Sequence, residues 1–304
     1  MELINTEMIN KSLHSIINQH IKQQELKEQL LEYIDFHLKK GVPFGELLVL
    51  HHCMFNGRET EQIYKVAAAV ELLILSFDML DDFEDNDFEG KPWSEEPQLA
   101  LNATTAFLFL CSMVIRNTDF KNKDRAISIL LQYTLLSING QHKDLLNICG
   151  SEADYIDMTI EKSGALVTLS CLVGTVLAVN DYPTEIEIYS KYIGLIGQIN
   201  NDVADIKIWN EKNDLIKKKY SLPIIYLLNC NDTDLHFIHD YYAGKVEKGE
   251  IIEKQMLVTN KLIKTGAMAY TEVIKKIYQN KVIKELKKLN VERRYFELLK
   301  KYIY

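Results

Sequence analysis

Val66-Ala67-Ala68-Ala69-Val70-Glu71-Leu72-Leu73-Ile74-Leu75-Ser76-Phe77-Asp78-Met79-Leu80 runs without a break into Asp81-Asp82-Phe83-Glu84-Asp85. A segment that is apolar nearly all round reads as a central helix rather than a surface one. Carboxylates at i and i+3 or i+4 project from one face of a helix, and here that face lies in what otherwise reads as core. A second junction of the same kind closes the apolar run from Ile193 with Asn200-Asn201-Asp202-Val203-Ala204-Asp205. An unpaired buried charge costs on the order of several kcal/mol, so something cationic is needed to offset these. Two oxygen-rich faces suit Mg²⁺, which takes hard oxygen ligands and shares them with a substrate's phosphates. The competing reading is two solvated helix ends with acidic caps.

Outward from these junctions the chain reads as all-α. Periodicity near 3.6 dominates, no clean alternation bounded by turn residues is found, and five prolines and thirteen glycines are few for 304 residues. Helices are expected near 8–24, 25–40, 44–55, 60–82, 98–116, 122–148, 152–179, 184–212, 220–229, 233–243, 248–263 and 264–300. Lys40-Gly41-Val42-Pro43, Asn56-Gly57, Glu89-Gly90-Lys91-Pro92, Cys149-Gly150 and Asp181-Tyr182-Pro183 mark the breaks. No linker, repeat or low-complexity tract intervenes, so residues 1–304 read as a single domain.

An apolar fraction of 47% excludes a disordered chain and supports a large core. The five cysteines have no paired spacing, which argues against a disulfide framework or a zinc site and fits a reduced cytoplasmic setting. Met1-Glu2-Leu3-Ile4-Asn5-Thr6-Glu7 is no signal peptide, and the run Ala165 to Val179 is taken as the longest uncharged apolar stretch, too short for a bilayer. Net charge is −8, but twelve Lys/Arg against four Asp/Glu from Lys261 onward leave +8 there and −16 elsewhere. That basic end leaves peripheral contact with anionic lipid open, against the simpler reading of a wet helix face. The acidic body, lacking a basic–aromatic platform, argues against nucleic acid.

Asp81-Asp82-x-x-Asp85 resembles the first aspartate-rich motif of the trans-isoprenyl diphosphate synthases, and Gln198-Ile199-Asn200-Asn201-Asp202-Val203-Ala204-Asp205 resembles the second, with Asn201 where that family has its first Asp. Gly140-Gln141-His142-Lys143-Asp144-Leu145, Lys162-Ser163-Gly164-Ala165-Leu166, and Asp214 followed by Lys218-Lys219-Tyr220-Ser221-Leu222-Pro223 come in the family's order. The resemblance implies an isoprenyl diphosphate synthase-like helical bundle around a central cavity, with both acidic clusters facing its mouth. Over its whole length the chain also resembles the ComQ-type prenyltransferases, through Ala68 to Ser76, Ile138 to His142, Asn213-Asp214-Leu215 and Asp240-Tyr241-Tyr242-Ala243-Gly244-Lys245. That family attaches an isoprenyl group to a tryptophan of a small pheromone precursor peptide in competence and quorum sensing.

On this resemblance Asp81, Asp82, Asp85, Asn201, Asp202 and Asp205 hold roughly two or three Mg²⁺ ions on the diphosphate of an allylic donor, geranyl or farnesyl. Lys162 and Lys219 match the family's diphosphate-binding lysines. Phe77, one turn before Asp81, sets the depth of the prenyl pocket, and Gln198 reaches the reacting centre; ordinary packing is the other reading of both. Asp78, Gln141 and Asp144 are expected to support these groups. The resembling synthases are often dimers, which leaves a homodimer open.

The chain-elongating synthases hold isopentenyl diphosphate with Gly-Lys-Arg-x-x-Arg, where this chain has Gly41-Val42-Pro43-Phe44-Gly45-Glu46. Their Arg-Arg-Gly after the first motif is Phe88-Glu89-Gly90 here. A second diphosphate needs fixed cations; a neutral or peptidic acceptor does not. The alternatives are a short-chain isoprenyl diphosphate synthase, which those missing cations disfavour; a terpene cyclase, whose Ser/Thr and Glu positions fail after Asn201-Asp202; and a binding protein without catalysis. The pair His51-His52 reads as polar packing and Trp93 and Trp209 as structural anchors, while Tyr241-Tyr242 reads either as the lining of a peptide groove or, more simply, as surface packing.

Overall fold

The computed structural model describes residues 4–209 and 213–304. Among them every regular element is helical: α1 Thr6–His20, α2 Gln24–Leu38, α3 Pro43–Met54, α4 Glu61–Glu84, α5 Pro97–Arg116, α6 Lys123–Leu146, α7 Glu152–Thr159, α8 Ala165–Ala178, α9 Thr184–Asp205, α10 Leu222–Leu228, α11 His236–Tyr242, α12 Lys248–Glu253, α13 Gln255–Lys264, α14 Ala267–Lys288 and α15 Arg293–Leu299. A π-helical turn, Ile160–Gly164, joins α7 to α8. The chain folds into two compact units. The first comprises Met1–Leu135, Leu166–Glu187 and Val291–Phe296; the second comprises Leu136–Ala165, Ile188–Asn290 and Glu297–Tyr304.

In the first unit α4 is central, with α1, α2, α3 and α5 packed against it. From Val66 to Ser76 every side chain of α4 is buried, including the carboxylate of Glu71. That charge is offset locally, since Gly45 N–H donates to Glu71 Oε1 (2.6 Å) and His37 Nε2 lies 3.0 Å from Oε2. The pair His51-His52 is internal packing. His51 Nδ1 bonds Leu47 O (2.7 Å), and burial pushes its pKa down to about 4. His52 bridges Gly174 O and Arg58 O, both at 3.2 Å. In the second unit α10 to α14, with Ile206 and Leu215 from the stretch before α10, build a core that includes Ile224, Leu227, Ile238 and Leu262.

The expected breaks at Gly41, Asn56 and Gly90 are left-handed residues, with φ of 88°, 62° and 73°. Three boundaries differ from expectation. The helix expected over 264–300 stops at Lys288, because Asn290 (φ 48°) takes the left-handed conformation that closes helices. The segment 248–263 splits at Lys254. Helix 184–212 ends at Asp205, and positions 210–212 of that expectation lie outside the described residues, as do 1–3 of the N-terminal segment.

Two helical stretches pass a bilayer test by length and composition alone, a test that buried core helices also meet. Pro97–Arg116 (20 residues) and Glu152–Ala178 (27 residues) have the length and composition of a span, with 44% and 72% of their apolar windows buried in the protein.

Candidate active site

Asp81 and Asp82 occupy the last turn of α4, and Asp85 is its C-cap. A helix C-terminus carries partial negative charge, and no basic residue lies in that last turn. The acids therefore stand where the backbone disfavours them. Asp82 is held on both oxygens: Lys91 Nζ pairs with Oδ1 and Trp93 Nε1 donates to Oδ2 at 3.1 Å. Burial nevertheless pushes its pKa up, against the Lys91 charge. Asp78 is half-exposed, 3.9 Å from Lys40 Nζ, and Phe77 is half-buried beside it on α4.

The second acidic segment ends α9, again with no basic residue in the last turn. Asp202 points inward, only 7% exposed. Its Oδ2 accepts from Tyr155 Oη (2.5 Å) and its Oδ1 from Gln198 Nε2 (2.9 Å), while Gln198 Oε1 accepts from Ser163 Oγ (2.9 Å). Asp205 is half-buried and Asn201 exposed. Neighbouring Asn200 accepts from Lys275 Nζ at 3.2 Å.

Lys162 sits on the π-helical turn, and such single-turn widenings recur at functional positions. Close backbone approach holds this one. A Cβ on Gly140 of α6 would fall 2.2 Å from Lys162 N, and one on Gly194 of α9 would fall 2.6 Å from Gly164 Cα. The structure brings both candidate lysines to one carboxylate, with Asp144 Oδ2 lying 2.7 Å from Lys162 Nζ and 3.7 Å from Lys219 Nζ. Gln141 is half-buried on the same helix.

Lys219 belongs to a tightly tied loop. Asn213 Nδ2 donates to Ile206 O and Ile208 O, both at 3.1 Å, and its Oδ1 accepts from Leu215 N–H at 3.0 Å. Asn147 Nδ2 donates to Lys218 O (2.8 Å), Tyr241 Oη to Ile216 O (2.6 Å) and Tyr242 Oη to Lys219 O (2.7 Å). The Tyr241-Tyr242 pair is thus the inner brace of this loop, correcting the expectation of surface packing. Tyr155 and Asp214 were not among the candidates, and Lys91 was passed over one residue beyond Phe88-Glu89-Gly90. Asp214 is 8% exposed, and its Oδ2 has no hydrogen-bond partner among the described residues. Burial raises the pKa of both Asp202 and Asp214, with the charges of Asp144 and Asp205 adding at Asp202 and that of Asp202 adding at Asp214.

No three carboxylate, histidine or thiol groups among the described residues form a preassembled metal cage. Mg²⁺ needs no such cage, since it binds through one or two carboxylates and completes its shell with water and phosphate. The buried oxygen of Asp214 and the raised pKa of Asp202 fit a divalent ion, whose positive charge would stabilise desolvated carboxylates.

Residues 23–259, which carry both acidic segments and the Lys219 loop, match the family model described as Polyprenyl synthetase. Over 93% of the chain and 88% of the relative, it is 34% identical to the tryptophan prenyltransferase ComQ of Bacillus subtilis subsp. natto. It is 30% identical to that of Bacillus subtilis strain 168, over 95% of each chain. The chain is a ComQ-type member of the polyprenyl synthetase family. It is a prenyltransferase. A short chain isoprenyl diphosphate synthase of Methanocaldococcus jannaschii is more distant, 29% identical over 69% of this chain and 73% of that one. The geranylgeranyl pyrophosphate synthetase of Pyrococcus horikoshii superposes with a TM-score of 0.79 over 98% of this chain and 94% of that one, at 21% identity. The ComQ-type chain therefore has the isoprenyl diphosphate synthase fold.

Proposed function

We propose that this prenyltransferase moves a geranyl or farnesyl group from an allylic diphosphate to a tryptophan of a small precursor peptide, as a single domain over 1–304, in maturing a competence pheromone. The observation that carries the acceptor assignment is segment 41–46. A helix N-terminus is a ready anion site, yet at α3 the Gly45 N–H is spent on the protein's own Glu71. Glu46 adds a further carboxylate. A second diphosphate finds no cation in that segment, whereas an uncharged indole needs none.

Asp81, Asp82 and Asp85 of the first segment and Asn201, Asp202 and Asp205 of the second are the groups to hold Mg²⁺. When bound, Mg²⁺ supplies Lewis-acid stabilisation of the departing diphosphate. Lys162 and Lys219, oriented by Asp144, neutralise that leaving group. The allylic C–O bond breaks with its electrons passing to the diphosphate. The indole C3 donates its pair to the allylic carbon, and the peptide's backbone nitrogen closes onto C2 with loss of its proton. Gln198, fixed between Ser163 and Asp202, is placed to orient the reacting groups, and Phe77 to limit donor length. Mass spectrometry of a reaction containing Mg²⁺, geranyl or farnesyl diphosphate and a Trp-containing peptide should show one added prenyl group. The same peptide with Trp→Phe should stay unmodified. Elongation of the donor with isopentenyl diphosphate at an enzymatic rate would instead make the chain a short-chain synthase.

The prenyltransferase also fits a homodimer. Leu101 and Phe109 on α5 are 45% and 73% exposed, and Leu131 and Leu135 on α6 are 51% and 62% exposed, all within the first unit. Such apolar stripes mark association surfaces. Phe109→Glu with Leu135→Glu should convert a dimer into a monomer in analytical ultracentrifugation; a monomeric unmodified protein would refute the dimer.

A further inference from the structure

Lys91 has no part in the expected set, yet it is a cation fixed to the first acidic segment. Its side chain is 15% exposed; Nζ pairs with Asp82 and lies 3.8 Å from Asp87 Oδ2. The surroundings fix it in place. Asp87 N–H donates to Asp82 O (2.8 Å), and Lys91 O accepts from both Ser94 N–H (3.0 Å) and Ser94 Oγ (2.7 Å). Trp93, 1% exposed, bonds the other oxygen of Asp82 and is gripped edge-on by Tyr33 and Phe36, with ring centroids at 5.8 and 5.3 Å. The turn after α4 is therefore folded back onto the helix's negative end, with its ammonium delivered to one named carboxylate.

We propose that Lys91 is a built-in counter-ion and positioning residue of the first acidic segment, acting through Asp82 to set how strongly the segment binds Mg²⁺ relative to the donor's diphosphate. The proposal rests on the prenyl-transfer reading for the identity of the donor. Its physical basis is simple. A fixed positive charge weakens binding of a cation beside it and strengthens binding of an anion, so removing it moves the two affinities in opposite directions. A merely structural anchor, once loosened, weakens both together.

The test compares the full-length protein with Lys91→Met, Lys91→Gln and Lys91→Arg. Calorimetry measures Mg²⁺ alone binding to the free protein, and steady-state kinetics measures KM for the prenyl diphosphate. For Lys91→Met the Mg²⁺ dissociation constant should fall roughly three- to tenfold while KM for the donor rises by a similar factor. Lys91→Gln keeps a hydrogen bond to Asp82 without the charge and should give the same pair of shifts, so a folding defect in the Met variant does not decide the outcome. Lys91→Arg should stay within about twofold of wild type on both measures. Weakening of both affinities, or no change in either, overturns the proposal. If the unmodified protein transfers no prenyl group, it is the functional reading that fails; if it transfers normally and the variants do not split the two affinities, only the role of Lys91 falls.

Discussion

Asp202→Asn should lower kcat for prenyl transfer on the order of 10²–10³-fold and, at the same time, raise the melting temperature of the metal-free protein. Both halves come from one geometry. Asp202 ends α9 almost fully buried, with Tyr155 and Gln198 donating to its two oxygens. Burial nonetheless holds its pKa well above the ordinary carboxylate range, so these two bonds do not offset the loss of water. The amide has the same shape and carries no charge to desolvate, which favours the folded chain. It also offers a metal only a neutral oxygen, where the chemistry needs an anionic one to hold Mg²⁺ against a departing diphosphate. A residue there for stability alone would lose stability on replacement and keep its rate. Kinetics with Mg²⁺ and a Trp-containing peptide, beside a thermal melt in chelator, separates the two. A variant keeping a tenth or more of wild-type kcat, or one that melts lower without metal, would remove Asp202 from the metal site. Asp232→Asn is the control: that half-buried carboxylate is already satisfied by Lys261, 2.5 Å away, and its loss should leave kcat unchanged.

The parts of this site that were legible in the sequence are those written in periodicity and order. The all-apolar stretch of α4 and the apolar run of α9, each ending in acids, announced buried helices carrying charge where a helix end disfavours it. Gly41, Asn56 and Gly90 announced turns because only certain residues accept a positive φ without strain. What was not legible depends on approach between distant segments. Tyr155 is one aromatic residue on a short amphipathic helix, and nothing in its neighbourhood says that its hydroxyl meets an aspartate 47 positions later. The π-helical turn under Lys162 follows from Gly140 and Gly194 admitting backbone where a Cβ would collide, a requirement that spans three helices. Tyr241 and Tyr242 read as surface packing or a peptide groove because no local pattern ties them to residues 216 and 219. They brace the Lys219 loop because they end α11, where the chain is already turning. Lys91 was missed for a different reason: it was sought as an arginine pair before the glycine and stands just after it.

The metal-free protein should lose stability as pH rises, and Mg²⁺ should restore more of it at pH 8 than at pH 6. The sign follows from Asp202 and Asp214, whose folded pKa values lie above the unfolded value of about 3.9. Between the unfolded and folded values the native state binds more protons than the unfolded one, so the stability slope with pH is negative. Their contribution is full in acid and is lost as pH climbs through the raised values. Each unit of upward displacement corresponds to about 1.4 kcal/mol, and for a chain of this size 1 kcal/mol moves the melting temperature by about 2–4 °C. Buried His51 and His52 push the other way in acid, since their lowered pKa values make the native state resist protonation below the ordinary histidine range. The comparison that isolates the carboxylates is therefore the melting temperature of wild type minus that of Asp214→Asn, followed from pH 6 to pH 8 in chelator. This difference should become steadily more unfavourable to wild type, because the asparagine has no proton to lose. With Mg²⁺ present the gap should shrink at pH 8, where both aspartates must ionise and a divalent ion supplies the charge that the helix ends lack. A difference that is flat with pH, or that Mg²⁺ leaves untouched, would mean that these buried carboxylates are satisfied within the protein and have no need of a cation.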